Sequence, residues 1–179
     1  MNNKHFEFTD ETITISHYYT LHRIRATRDI PAQCVKKGDL GGFVESYDNL
    51  SDDAWVYGDA CVFEDARVCD SACVFDTARV FDKAYVYGDA NVYNNARIGG
   101  NAYVGSTDDY IVFRKFHGKC LTWTRSNNMW NVNDWRIIKG NELVASAYKI
   151  GMERGERYAQ LVRSVELMYK LKNDLYMYE

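Results

Sequence analysis

Apolar and polar positions recur with a period of six from Ala54 to Ser106. Alanine stands at 54, 60, 66, 72, 78, 84, 90, 96 and 102, and two positions later come Val56, Val62, Val68, Val74, Val80, Val86, Val92, Ile98 and Val104. Side chains two apart on an extended strand share a side, so both members of each pair can face a core. The next position of the same parity holds Gly58, Glu64, Asp70, Asp76, Asp82, Gly88, Asn94, Gly100 and Ser106. In a straight strand these would be buried, so the chain turns there, on residues that tolerate left-handed backbone angles or bond their own backbone. Each hexad predicts a short strand and a corner, and an unbroken period of this kind marks a repeat architecture.

A strand that bends in one sense at every corner winds into a coil. Three hexads make a triangular turn of about 18 residues, stacked roughly 4.8 Å above the last and paired to it through the backbone. Val44 and Leu50 continue the register backward, with Gly42 and Asp48 at the alanine positions, so coiling is predicted from near Gly42. The length suffices for roughly three to four coils, whose two ends need caps over unpaired strands. These hexads resemble the left-handed parallel β-helix of hexapeptide-repeat proteins, and the handedness comes from that resemblance alone.

The flanks change pattern. Phe6, Phe8, Ile13, Ile15 and Leu21 to Ile24 predict short strands, followed by a turn-rich stretch from Lys36 to Gly42, together closing the first coil. Beyond the coils, Tyr110 to Arg114 and Leu121 to Thr124 predict a hairpin across Phe116 to Lys119, with two more short strands at Met129 to Val132 and Trp135 to Ile138. A short helix is expected from Asn141 to Ile150. Tyr158, Leu161, Val162, Val165, Met168 and Tyr169 form the stripe of a longer helix ending near Leu171, packed on the sheet or paired with another subunit. The expected fold class is mainly β, with an N-terminal β cap (1–41), a hexapeptide-repeat β-helix (42–106) and a C-terminal α+β region for capping and oligomerisation (107–179).

A single proline, Pro31, and the lack of a serine- or glycine-rich linker argue for one compact unit. There is no apolar run of about 18 residues and no signal-peptide pattern, so a soluble cytoplasmic protein with no membrane partner is expected. Five cysteines, irregularly spaced, read as reduced thiols. Charge is uneven. Residues 1–43 carry six Lys or Arg against five acids, 44–106 four against eleven, and 107–179 twelve against nine, so the coil body is acidic by about seven charges. Corners that use Asp account for much of this, and an acidic stack also suits a basic partner; direct nucleic-acid binding is not expected.

Stacking every 18 residues lets outward rows be read from the sequence. After each valine, Tyr57, Phe75 and Tyr93 form one row, Phe63 and Phe81 a second ending in Gly99, and Cys69 and Tyr87 a third. Aromatic rows that face outward stack along the coil, serve as subunit contacts or offer a platform for sugars or bases. Between alanine and valine the rows are Trp55, Cys73, Asn91; Cys61, Arg79, Arg97; and Arg67, Tyr85, Tyr103. Arg79 and Arg97, one rung apart, could receive a phosphate or carboxylate, or pair with corner acids such as Asp76 or Asp82. Cys61, Cys69 and Cys73 lack a paired C-x2-C spacing and point from different faces, so no metal is expected.

Many hexapeptide-repeat proteins are acyltransferases that use a histidine as general base and bind acyl-coenzyme A between subunits. This chain departs from them: no histidine lies in the coils, which leaves His22 and His117 as the general-base candidates. No P-loop, nucleophile elbow or HExxH is present, and the Gly38 to Gly42 stretch reads as a corner or cap. No catalytic residue and no cofactor is expected.

The stretches Leu21-His22-Arg23-Ile24-Arg25-Ala26, Val35-Lys36-Lys37-Gly38-Asp39-Leu40-Gly41-Gly42-Phe43-Val44-Glu45-Ser46 and Asn49-Leu50-Ser51, with the Ala-x-Val-Tyr-Gly-Asp hexads, resemble proteins encoded in bacteriophages and prophages. The resemblance covers residues 21–106 and supplies no catalytic residues. It implies a mobile-element origin and a host cytoplasmic setting. The expected function is a non-enzymatic binding protein that self-associates as a dimer or trimer and engages a host protein or nucleoprotein, as an anti-CRISPR-like inhibitor would. The alternatives are an acyltransferase-like enzyme and a sponge holding an anionic nucleotide on Arg67, Arg79 or Arg97. Binding candidates are Tyr57, Phe75, Tyr93, Phe63, Phe81, Arg67, Arg79 and Arg97.

Overall fold

The computed structural model describes residues 4–116, 119–132 and 136–176. Nine two-residue strands occupy the alanine-plus-one and valine positions: β4 (Trp55–Val56), β5 (Cys61–Val62), β6 (Arg67–Val68), β7 (Cys73–Val74), β8 (Arg79–Val80), β9 (Tyr85–Val86), β10 (Asn91–Val92), β11 (Arg97–Ile98) and β12 (Tyr103–Val104). They pair in parallel with a shift of three strands, giving the walls β4-β7-β10, β5-β8-β11 and β6-β9-β12 of a solenoid. The alanines and β-branched residues of the hexads are essentially inaccessible to solvent and form one continuous core.

At the corners, Glu64, Asp70, Asp76, Asp82 and Asn94 have φ between 55° and 61°. Ser106 departs from this set: it is extended, with φ −149°, and caps a 3-10 turn over Thr107–Asp109. The corner acids also reach across the rungs. Asp70 accepts from Gly88 N at 2.9 Å, Asp76 from Asn94 N at 2.8 Å, Asp82 from Gly100 N at 2.8 Å and Glu64 from Asp82 N at 2.6 Å. A left-handed corner turns its own N–H away from the strand ladder, and the carboxylate one coil earlier satisfies it. Much of the acidity of the coil is therefore built into its corners.

The solenoid has polar ends of opposite kind. Backbone N–H groups point toward the following coil, as in Trp55 N to Ala72 O (3.1 Å) and Tyr57 N to Val74 O (2.8 Å), so the first coil is left with carbonyls and the last with N–H groups. The N-terminal segment supplies donors. His5 Nε2 donates to Ala54 O, Lys4 to Tyr47 O, Arg23 to Gly41 O and Gly58 O, Arg28 to Asp52 O, and Asn49 Nδ2 to both Glu64 O and Ala66 O. The C-terminal segment supplies acceptors: Thr122 Oγ1 for Arg97 N, Ser126 Oγ for Tyr103 N, Tyr110 Oη for Tyr93 N and Asp109 Oδ2 for Gly105 N. Each cap thus answers the exposed backbone of its end with the opposite hydrogen-bonding character.

In the N-terminal segment β1 (Phe6–Ile15) and β2 (Tyr19–Ala26) form an antiparallel hairpin, and β2 pairs antiparallel with β3 (Leu40–Val44). β3 pairs in parallel with β5, so the hairpin extends one wall of the solenoid as two further rungs. Behind the coils, β13 (Tyr110–Phe116), β14 (Lys119–Thr124), β15 (Met129–Val132) and β16 (Arg136–Lys139) make an antiparallel sheet in sequential order. Thr122 and Thr124 on β14 are fully buried, while Leu121 and Trp123 face a second core shared with α1 (Gly140–Tyr148) and α2 (Met152–Tyr176). α2 begins earlier and runs later than its apolar stripe suggests. Tyr148 packs against Gly155, where an added Cβ would stand 2.2 Å from its ring. His117 and Trp135 lie outside the described residues.

Among the described histidines His5 alone is sealed into this framework, 3 % exposed. Burial holds its pKa below the ordinary 6.5; Arg28 and Lys4 add to this, and the bond to Ala54 and the charge of Asp53 oppose it. The unfolded chain therefore takes up the proton first, and the stability due to neutral His5 is lost as pH falls below 6.5 toward the folded value. Urea unfolding is expected to show a lower midpoint at about pH 5 than at about pH 7.5, with the difference reduced in His5→Gln. An undiminished difference in the variant would assign the effect to other groups.

Candidate functional site

The three walls present different outer surfaces. On the β5-β8-β11 wall, Phe63 and Phe81 are stacked at 5.5 Å but are 1 % and 5 % exposed. The expectation of an exposed row is corrected here: Ile13, Ile15, Tyr19 and Leu21 of the hairpin cover it from one end and Ile137 from the other. Tyr19 also hydrogen-bonds Glu64, the main cause that pushes its phenol up to about 12. Gly99 ends the row because an added Cβ would lie 2.6 Å from the Phe81 ring. Arg79 and Arg97 are register partners on this wall. The Arg97 guanidinium is 9 % exposed as a residue and donates to Thr77 O and Ala96 O, so it is committed to the backbone.

The β6-β9-β12 wall carries Tyr85, with Tyr87 and Tyr103 exposed beside it, and exposed Arg67. Arg67 lines a cavity of about 780 Å³ with Glu45, Glu64, Asp65 and Lys83. Asp52, Cys69 and Asp70 bring ligand-type atoms within 4.8 Å of one another at its corner. Both carboxylates already accept corner N–H bonds, and the Cys69 thiol, pushed up chiefly by burial, donates to Tyr85 Oη.

The β4-β7-β10 wall opens a groove of about 800 Å³, lined by Gln33, Cys34, Tyr57, Asp59, Cys73, Phe75, Asp76, Thr77 and Asn91, with Ala32 and Gly58. Pro31–Gln33 is a 3-10 turn held against the wall by Gln33. Gln33 Nε2 donates to Ser71 O, its backbone carbonyl accepts from Tyr57 Oη at 2.7 Å, and its side-chain oxygen accepts from the Cys73 thiol. Burial pushes the Tyr57 phenol up to about 12 and the Cys73 thiol up to about 11, so both remain protonated and inert at neutral pH.

The aromatic row on this wall is split. Phe75 and Tyr93 stack at 5.3 Å with an interplanar angle of 11°, and Tyr110 covers Tyr93 edge-on. Tyr57 does not continue the stack because its hydroxyl is drawn to Gln33. Rings stacked face to face along the axis show mainly edges to solvent, which removes the continuous platform for sugars or bases; the gap between Tyr57 and Phe75 becomes part of the groove. Asp59, with its side chain 77 % exposed and Arg23 Nη2 4.0 Å away, and exposed Asp76 are the charged residues of the described lining.

Of the remaining candidates, His22 is half-buried and stacks on Phe8 at 4.9 Å, and among the described residues no carboxylate is hydrogen-bonded to it. On α2, Tyr158, Val162 and Val165 are buried in the chain's own second core and Leu161 packs on it, while Met168 is 46 % exposed. The Tyr169 side chain lies outside the described residues. Gln33 and Asp59 were not singled out from the sequence. Gln33 stands outside any repeat, and its bonds to Ser71, Tyr57 and Cys73 join positions 24 to 40 residues apart.

No protein-family model matches this chain, and no curated protein matches it. Among the described residues no helix is long and apolar enough to cross a membrane.

Proposed function

We propose that this is a non-enzymatic binding protein that engages a macromolecular partner through the outer surface of its solenoid. The groove over β4-β7-β10 carries this reading: the wall is open, largely apolar at its base and acidic at its rim. The resemblance to phage- and prophage-encoded hexad proteins supports a partner in a bacterial host's cytoplasm, a component of a defence system being the most concrete candidate. Self-association as a dimer or trimer belongs to the same proposal and is supported by the exposed Tyr87, Tyr103, Leu167 and Met168.

The test is capture from bacterial lysate with the wild-type chain and with Phe75→Arg, which places a cation in the groove. A stoichiometric host protein retained by the wild type and lost by the folded variant supports the proposal. Capture that is indifferent to Phe75→Arg, or no specific partner, overturns it. A monomeric mass across micromolar concentrations in light scattering would overturn self-association.

A further inference from the structure

We infer that the groove over β4-β7-β10 is a guanidinium slot that takes an arginine from a basic segment of the partner protein. This rests on the binding-protein reading and names the chemistry of the same groove. Three features converge. Phe75 is stacked on Tyr93 by one face, and its other face and edge are left to the groove, which Tyr57 borders from the far side. Asp59 and Asp76 are the only charged residues in the lining, and both are exposed. The four cations of the coil body, Arg67, Arg79, Lys83 and Arg97, do not line this groove, and Arg23 of the hairpin touches only its rim, at Gly58 O (3.2 Å) and Asp59 (4.0 Å).

The groove thus pairs an aromatic surface with two carboxylates; Arg23 reaches Asp59 at 4.0 Å from the rim, a long contact that leaves the Asp59 side chain 77 % exposed. A planar guanidinium uses both elements at once, lying on the ring while its N–H fork donates to carboxylate oxygens. An ammonium matches the charge but lacks the fork and stacks less well. Asp76 keeps an oxygen on Asn94 N, which holds that carboxylate in place. Gln33 fixes the opposite wall through its bonds to Ser71, Tyr57 and Cys73, so the slot is preorganised and binding orders little of the protein.

The measurement is fluorescence anisotropy with a labelled Gly-Arg repeat peptide, compared with the same peptide carrying lysine or the neutral isostere citrulline. The arginine peptide is expected to bind about fivefold more tightly than the lysine peptide, and the citrulline peptide at least about tenfold more weakly than arginine. Asp59→Asn and Asp76→Asn should each weaken the arginine peptide about fivefold, whereas Asp65→Asn, which removes the same charge at another corner, should have little effect. Phe75→Leu should erase the arginine-over-lysine preference while the chain keeps its fold by circular dichroism. Equal binding of arginine and citrulline peptides, equal effects of Asp59→Asn and Asp65→Asn, or no binding overturns the slot. If Phe75→Arg still abolishes capture of the host protein in that case, the groove remains the docking site and only its guanidinium specificity falls.

Discussion

Gly42→Ala is expected to destabilise the protein by about 1–3 kcal/mol, although it would complete the alanine repeat. Gly42 occupies an alanine position of the hexad register, so the repeat alone predicts that alanine is tolerated there or improves the fold. A Cβ on Gly42 would stand 2.5 Å from Val56 Cγ1 and 2.6 Å from Ala60 O. The second contact is with backbone in the parallel pairing of β3 with β5, where Phe43 N donates to Ala60 O at 2.9 Å. Relief requires the first coil to move away from the strand that starts it. Thermal unfolding should show a melting temperature lower by about 5 °C, with Ala60→Gly as a comparison that loses packing without a clash. A Gly42→Ala variant as stable as the parent would mean that the first coil is looser than its contacts indicate.

Asn49→Ala is expected to cost about 2–4 kcal/mol, among the largest effects of any polar substitution in the chain. Asn49 is 1 % exposed, and its amide nitrogen donates to Glu64 O and Ala66 O at 2.8 Å each while its oxygen accepts from Ser46 N at 2.8 Å. These carbonyls lie at the lower edge of the β6-β9-β12 wall, where no earlier coil donates to them. Alanine leaves them buried without a partner. Aspartate should be worse than alanine, since its carboxylate would face two carbonyl oxygens, although it is closer in shape to asparagine. Urea unfolding of the three proteins distinguishes the cases: the stability order Asn, Ala, Asp indicates hydrogen bonding, whereas Asp above Ala would indicate that shape filling dominates.

The coil was legible because every hexad repeats one local solution. Ala78 and Val80 face inward for the same steric reason as Ala60 and Val62, and Asp82 turns the chain in the same left-handed conformation as Asp70. A period-two strand and a corner residue are local properties, and repetition converts them into a global shape. The C-terminal hairpin was likewise visible in the runs from Tyr110 and Leu121, which pair as β13 and β14. The burial of Phe63 and Phe81 is not legible in the hexads, because their exposure depends on the hairpin and on Ile137, segments that belong to no repeat. The split of the row at Tyr57 was also invisible, since it turns on one hydrogen bond to Gln33.

By itself the sequence determined the period, the inward pairs, the corner positions and the segmental charge, because each depends on residues within a few positions of one another. The tertiary structure decided which outer wall stays open, which aromatic rings reach solvent, and why donors gather before the coils and acceptors after them. A solenoid's parallel strands expose carbonyls at one end and N–H groups at the other, and that polarity appears only once the coils are stacked. Arg23, Arg28, His5 and Asn49 on one side, with Thr122, Ser126 and Tyr110 on the other, then acquire a shared purpose that their spacing along the chain does not carry.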